Sequence, residues 1–386
     1  MSMRKRNVVW HVCAPLVALL LIGCGTSTST AETWTPDVAG QDADVHLDDA
    51  GDVGAEMDVA LGDAGGDVDL PELAFCNQAP LPEFGETVDW ESFGSGAITA
   101  LDEWHSAQDV ITHPEREALI TGKFTYGPTS KDLQGERIEV WMDDCSGSYV
   151  RLGEALTDSD GRSVLTLAPD ALPPVGTYAL VQRVMGDNTA ARSYLRVFPQ
   201  ETRFIVFDID ATLTTSDSEL FQDIFNDLFE PLLDGDFVPE ARVGAVDITK
   251  VRNELHGYQL VYITGRPYWL TEQSRGWLDD QGVAHGHLRL TGSNAESLPN
   301  NTGVGAYKAA YLAFLQDLGF EIVMAYGNAT TDIFAYAEAG IAPERTFILG
   351  QHGGEEGTVA LGEDYVEHLE AVRGEAPTDQ PFVWTP

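Results

Sequence analysis

The 386-residue chain is short of cations: 22 lysines and arginines stand against 62 aspartates and glutamates, a formal charge of −40. Beyond residue 30 its lysines are Lys123, Lys131, Lys250 and Lys308. So acidic a surface repels phosphate backbones, which argues against nucleic acid as a partner. It suits a salt-rich setting, where screening tames the self-repulsion. Long apolar runs are also missing apart from Val8–Ile22, which His11 and Pro15 interrupt. That run is too short to cross a bilayer comfortably.

What is present begins with Arg4, Lys5 and Arg6 ahead of the apolar run, the flank of a signal peptide. The run ends in Leu21-Ile22-Gly23-Cys24, which resembles the bacterial lipobox. The resemblance implies removal of residues 1–23 and acylation of Cys24, with several acyl chains making a stable membrane anchor. An ordinary signal peptide or an N-terminal membrane helix is the alternative reading of the run. Gly25, where an acidic residue would favour inner-membrane retention, points by analogy to the outer membrane of a bacterial cell envelope. Cys13 would leave with the signal, so Cys76 and Cys145 remain for one disulfide outside the cytoplasm.

From Ala31 to Leu73 there are ten aspartates and three glutamates and neither lysine nor arginine. With Ala, Gly and Val as its other main residues, this stretch cannot bury enough apolar surface to fold. Like charges keep it extended, so residues 24–73 read as a lipidated cysteine and an acidic spacer. With −13 in the spacer and +3 before it, the remainder of the chain carries −30.

Residues 74–118 form a lead-in of unknown role, with a short helix expected through Ile98–Gln108. Over 119–200 the pattern becomes short alternating runs: Leu119–Tyr126, Arg137–Met142, Tyr149–Ala155, Ser163–Leu167, Thr177–Val184 and Ser193–Val197. Gly-Pro, Asp-Gly and Pro-Pro pairs separate them, which predicts a small antiparallel β-sandwich. Over 201–375 apolar runs Phe204–Phe207, Leu260–Ile263, Ile322–Tyr326 and Thr346–Leu349 alternate with helical stretches near 218–233, 244–256, 269–281, 304–318, 332–339 and 363–373. This is the grammar of an α/β domain whose parallel sheet is covered on both faces, with its site at the carboxyl ends of the strands. Residues 376–386 are left as a C-terminal tail.

The candidate chemistry begins at those strand ends. Asp208-Ile209-Asp210-Ala211-Thr212 follows the first run, Thr264-Gly265-Arg266-Pro267 the second, and Gly327-Asn328-Ala329-Thr330-Thr331-Asp332 the third, with Lys308 in the intervening helix. Each has a plainer reading: a solvated loop, a helix cap at Thr264, a surface lysine. In this order they resemble the haloacid dehalogenase signature, DxDxT onward, which implies a Rossmann-like fold. The resemblance further implies that Asp208 attacks phosphorus to give an aspartyl-phosphate, and that Asp210 serves as general acid and then base. Thr264 and Lys308 would bind phosphate, while Asp208, Asp210 through its backbone carbonyl, Asn328 and Asp332 would hold Mg²⁺.

Within that superfamily the chain resembles the lipin-type phosphatase domain and, more closely, the LNS2 region of the retinal-degeneration-B phosphatidylinositol transfer proteins. This likeness runs over about 119–373, through Gly122-Lys123-Phe124-Thr125-Tyr126-Gly127-Pro128, Leu133-Gln134-Gly135-Glu136, Asp160-Gly161-Arg162, Gly186-Asp187 and Arg242-Val243-Gly244. The transfer-protein version lacks the first catalytic carboxylate and senses phosphatidic acid without hydrolysing it. Here both Asp208 and Asp210 are present, as in the lipins, although Ala211 replaces their usual glycine and their DWTH segment has no counterpart. The resemblance therefore implies a Mg²⁺-dependent phosphatase of a lipid phosphate such as phosphatidic acid. A soluble phosphomonoester as substrate and a non-catalytic phosphatidate-binding module are the alternatives. Leu220, Phe221, Ile224, Phe225, Leu228, Phe229, Leu232 and Leu233 make an apolar helical stripe that either meets acyl chains or packs on the sheet. Arg266, Asp217 and His352 are further candidates: a phosphate contact or a turn, a loop brace or a helix cap, and a neighbour of the site or a solvated loop histidine.

Overall fold

In a computed structural model of the chain the described residues are 72–127, 130–215, 239–293, 296–378 and 383–384. The residues expected to form a signal run, Cys24, the expected spacer up to residue 71, Asp217 and the stripe at 220–233 lie outside them.

The second half is organised by the strand Arg203–Phe207, which consists almost wholly of aromatic and β-branched residues. We number it β10. Its sheet also contains β11 (Gln259–Pro267), β12 (His287–Thr291), β13 (Glu321–Gly327), β14 (Thr346–Leu349) and β15 (Val359–Gly362). The order is β12, β11, β10, β13, β14, β15, all parallel where they pair. Successive β10 side chains alternate between two cores: Ile205 and Phe207 face one side, Phe204 and Val206 the other, and all four are fully buried. Complete burial of each such side chain is worth roughly 1.5–3 kcal/mol, so both faces need cover.

Helices supply that cover. On the first face lie α1 (Ala245–Lys250), α2 (Thr271–Asp280) and α5 (Val366–Val372), through residues such as Ile248, Trp277 and Leu369. On the second lie α3 (Ala306–Asp317) and α4 (Thr330–Glu338). In α3 the residues Tyr307, Tyr311 and Leu315, spaced by four, form the inward stripe. The helix stops at Gly319, whose φ of +87° suits a chain leaving in the left-handed conformation.

The first half is built on two β-sheets, with a short antiparallel ribbon of Thr125–Tyr126 and Lys131–Asp132 beside them. One sheet sets β1 (Glu72–Cys76), β8 (Gly176–Val184), β9 (Ala190–Val197) and β3 (Val110–Thr112) side by side, with β5 (Arg137–Asp143) and β6 (Tyr149–Leu156) joined to β8 through β5. The other contains β2 (Ser106–Ala107), β4 (Ala118–Lys123) and β7 (Arg162–Leu167). It departs from the expected all-antiparallel pattern, because β1 pairs with β8 in parallel and β3 with β9 likewise. Those parallel strands come from residues 72–112, so the lead-in is part of the sandwich. Of the helix expected at 98–108, only a short turn over Ser95–Ile98 forms; Ser106 and Ala107 are strand. Cys76 and Cys145 form a disulfide that ties β1 to the turn after β5.

Two side chains of the sandwich cover the open edge of the parallel sheet. Gln108 donates its amide N–H to Leu290 O and accepts from Leu290 N, at 3.3 and 3.2 Å. Asp109 Oδ2 accepts from Leu288 N at 3.0 Å. Together they replace the strand that the edge lacks. Asp109 Oδ1 also accepts from Arg275 Nη2 at 2.9 Å, and Arg196 lies 3.7 Å from the same carboxylate. Burial alone would raise the Asp109 pKa, but Arg275 and Arg196 overcome this and hold it low. Leu73, Ile111 and Phe198 from the sandwich join the core beneath α3 and α4, making the halves one continuous body.

Candidate active site

The carboxyl ends of β10, β11 and β13 bring the expected residues together. Asp208 leaves β10 with its N–H on Tyr326 O of β13, and the residue is 4% exposed. Lys308, in the first turns of α3, donates to Asp208 Oδ1 at 2.5 Å and to Asp332 Oδ1 at 2.6 Å. The other Asp332 oxygen accepts from the N–H groups of Asn328 and Ala329, at 3.0 and 3.1 Å, where the chain turns into α4. This turn requires Gly327, since a Cβ there would sit 2.6 Å from that of Asp332.

With Asp208 ionised, the three buried groups carry two negative charges and one positive. Burial pushes the Asp208 pKa up to about 7; Lys308 pulls it down, while Asp332 and Asp210 push it further up. Burial lowers the Lys308 pKa less than its two carboxylates raise it, so the ammonium stays protonated.

Asp210 points elsewhere. Thr264 donates its hydroxyl to Asp210 Oδ2 at 2.9 Å, and Arg266 donates to Oδ1 through Nη2 at 2.7 Å and through Nε at 3.0 Å. The loop after the two aspartates is held at Ala211 by side chains: Ala211 N donates to Thr214 Oγ1 at 3.0 Å, and Arg242 Nη2 donates to Ala211 O at 2.7 Å. Ala211 has φ +54°, the left-handed conformation that the more usual glycine adopts without strain.

Of the four metal ligands anticipated from the sequence, Asp332 has both carboxylate oxygens engaged, by Lys308 and by the start of α4. The Asp210 carboxylate serves Arg266 and Thr264, whereas the anticipated donor there is its backbone carbonyl. Among the described residues no group of three or more His, Cys, Asp or Glu side chains is placed to hold a metal ion. Two oxygens do converge, because the Thr212 hydroxyl lies 3.1 Å from Asp208 Oδ2 and 3.2 Å from Asn328 Oδ1. A hard ion that takes one or two carboxylates and keeps waters or phosphate oxygens fits this donor set and its negative excess.

Thr212, Arg242 and the Arg266–Asp210 pair are the parts that sequence reasoning did not assign. Thr212 is the threonine of the DxDxT pattern, and Arg242 lies within a segment of the family likeness, so each carried a signal. His352 pairs with Glu355 at 2.9 Å within its own exposed loop.

The family model described as PITM 1-3, LNS2 domain matches residues 205–350, and that described as PITM 1-3, beta-sandwich domain matches 103–197. Protein retinal degeneration B of Drosophila melanogaster is 33% identical over 282 residues, which are 71% of this chain and 21% of that protein. Membrane-associated phosphatidylinositol transfer protein 1 of Homo sapiens is 28% identical over 288 residues, 73% of this chain and 21% of its own. The type 3 protein of Mus musculus is 30% identical over 274 residues, 69% and 26% respectively. The chain thus spans a fifth to a quarter of the length of these relatives. Among the described residues no helix is long and apolar enough to cross a membrane.

Proposed function

Because the chain belongs to the PITM 1-3 family through its β-sandwich and LNS2 domains, we propose that its haloacid dehalogenase-like domain is a phosphatase acting on a lipid phosphate such as phosphatidic acid. The observation that carries this reading is the buried Asp208–Lys308–Asp332 triad at the strand ends, with a second carboxylate, Asp210, two residues beyond the first. The relatives' names, membrane-associated and phosphatidylinositol transfer, support a lipid substrate. Anchorage at Cys24 in a bacterial envelope would bring the domain to such a surface.

In this scheme an ionised Asp208 oxygen forms a bond to phosphorus as the ester P–O bond breaks. Lys308 neutralises charge on the nucleophile and on the phosphoryl oxygens. Asp210 delivers a proton to the departing oxygen and then removes one from the water that cleaves the aspartyl-phosphate. Asp208, Asn328 and the Asp210 carbonyl would hold Mg²⁺, which supplies charge screening between the carboxylate and the phosphate. Arg266 and Thr264 set the orientation of Asp210, and their release of it would let the carboxylate take up the proton it transfers.

One observation favours a second reading, capture of a lipid phosphate without turnover: both Asp210 oxygens are occupied by Arg266 and Thr264. Phosphate release from micellar phosphatidic acid separates the two, measured with Mg²⁺ for the natural protein and for Asp208→Asn, beside a water-soluble chromogenic phosphate. Release that requires both Mg²⁺ and Asp208, and that prefers micelles, is the expected result. Binding of phosphatidate without release would establish capture, and turnover of the soluble ester alone would remove the lipid.

A further inference from the structure

Arg289, on the edge strand β12, is placed unlike the other inward-facing cations. Arg196, Arg252, Arg266, Arg275 and Lys308 each lie within ion-pair distance of a carboxylate. Arg289 has no such partner among the described residues; its guanidinium hydrogen-bonds the neutral Tyr307 side chain, and its buried Nε has no hydrogen-bond partner. Its guanidinium lies over the Tyr311 ring at 4.7 Å. Glu296, an acid within its field, is turned to accept from Gly292 N at 2.6 Å. In a chain of charge −40 an intramolecular acid is easily found, and a partly desolvated guanidinium without an anion is costly.

The guanidinium borders a cleft of about 650 Å³ between the sandwich and α3. This volume lies in the usual range of small-molecule sites, roughly 300–1,000 Å³. Val110, Ile111, Leu119, Phe314 and Leu318 make its apolar walls, and Leu119 and Phe314 are 48% and 45% exposed although both are large and apolar. Of the acids that also line it, Asp109 is already neutralised by Arg275 and Arg196, while Glu115 and Glu117 flank Arg116. The opposite side of Arg289 borders a smaller space of about 160 Å³ with Lys123 and Arg162. Arg289 thus stands between an apolar trough, whose lining holds two arginines and three acids, and a second space bordered by Lys123 and Arg162, with Lys123 paired to Asp132.

We propose that this interdomain cleft binds a single-chain amphiphile with an anionic head, the head on Arg289 and the acyl chain along Leu119, Phe314 and Leu318. A guanidinium presents a planar fork that matches carboxylate and phosphate oxygens alike. A bare anion would satisfy Arg289 yet leave the apolar walls in water, whereas a neutral lipid would cover the walls and leave Arg289 without a counter-charge. The site shares no residue with the Asp208–Lys308–Asp332 triad, so it stands whether or not the domain hydrolyses phosphate.

Calorimetric titration of the full chain with oleate, lysophosphatidate, monoolein and inorganic phosphate, each below its micellar concentration, tests the proposal. Oleate or lysophosphatidate should bind, the stronger of the two identifying the head group. Monoolein and inorganic phosphate should each bind more weakly by about tenfold or more, the worth of one charge-assisted hydrogen bond. Arg289→Met should weaken the acyl ligand by a similar factor, and Asp208→Asn should leave oleate binding unchanged. Phe314→Asp, at an exposed position that does not threaten folding, should weaken it even if Arg289→Met proves unstable. Absence of binding to the natural protein overturns the proposal, as does monoolein binding as tightly as the acyl anions, or phosphate doing so in Asp208→Asn. So does full affinity in Phe314→Asp, or loss of oleate binding in Asp208→Asn.

Discussion

Lys308 Nζ sits between two carboxylates, 2.5 Å from Asp208 Oδ1 and 2.6 Å from Asp332 Oδ1, and all three side chains are buried. The arrangement makes the lysine both the electrostatic keystone of the strand ends and the group nearest the proposed nucleophile. Its removal leaves two like charges unpaired in a desolvated site. Lys308→Met should therefore destabilise the fold by about 3–5 kcal/mol, and Asp208→Asn added to it should recover part of that loss. Urea unfolding of the single and double variants checks this. A single variant as stable as the natural protein would show that the lysine is not needed to hold the carboxylates.

Ala211 in the left-handed region with φ +54° bears a backbone cost that glycine would not. Ala211→Gly trades this relief against greater freedom in the unfolded chain, so stability should stay within about 1 kcal/mol. Ala211→Val places a β-branched side chain in the same conformation at a fully buried position and should cost about 2 kcal/mol or more. Equal stability of the two variants would mean that the loop relaxes to another conformation.

Asp109 joins the two halves, because it accepts from Leu288 N, pairs with Arg275 and lies beside Arg196. Asp109→Ala leaves both guanidiniums buried without their acid, a loss of about 3–5 kcal/mol. Since the sandwich also covers the sheet edge through this residue, its loss should split one calorimetric unfolding transition into two. A single transition at an unchanged temperature would contradict the edge-covering role.

Acid sensitivity follows from buried histidines. Burial lowers the pKa of His105 to about 4, against Asp187, and that of His287 to about 3, among Asp109, Arg196, Arg289 and Arg275. The unfolded chain protonates them near 6.5, so their contribution is present above that pH and lost as pH falls toward 4. Each loses about 1.4 kcal/mol per pH unit in that window. Asp208 works in the opposite sense: raised to about 7, it contributes most at low pH and loses that contribution between 3.8 and 7. In metal-free buffer stability should fall on acidification below 6.5, and it should fall more steeply in Asp208→Asn. A flat profile would contradict the buried, neutral state of the histidines.

The sequence was most legible where structure is local. Phe204–Phe207 and Thr346–Leu349 read as strands because uninterrupted apolar residues have nowhere to go but a sheet covered on both faces. The edge strand His287–Thr291 was missed, since His287 and Arg289 break the apolar run, and their burial depends on Tyr311 and on the sandwich. The β1 strand escaped notice for a related reason: its partner, Gly176–Tyr178, lies far along the chain. Within the site, the spacing of Asp208, Asp210, Thr264, Lys308 and Asp332 was readable as a family signature. The pairing of Arg266 with Asp210 was not, because no local pattern relates residues 56 apart. The disulfide between Cys76 and Cys145 was accessible by elimination, few cysteines being present.

Covalent labelling of Asp208 tests the central claim most directly. Asp210→Asn should slow hydrolysis of the intermediate, so that variant, incubated with Mg²⁺ and phosphatidic acid and quenched in acid, should yield phosphate on the peptide containing Asp208 by mass spectrometry. The label should be absent from the Asp208→Asn protein. Folded Asp210→Asn protein that turns over phosphatidate with no label, or with the label on another residue, would contradict Asp208 as the nucleophile.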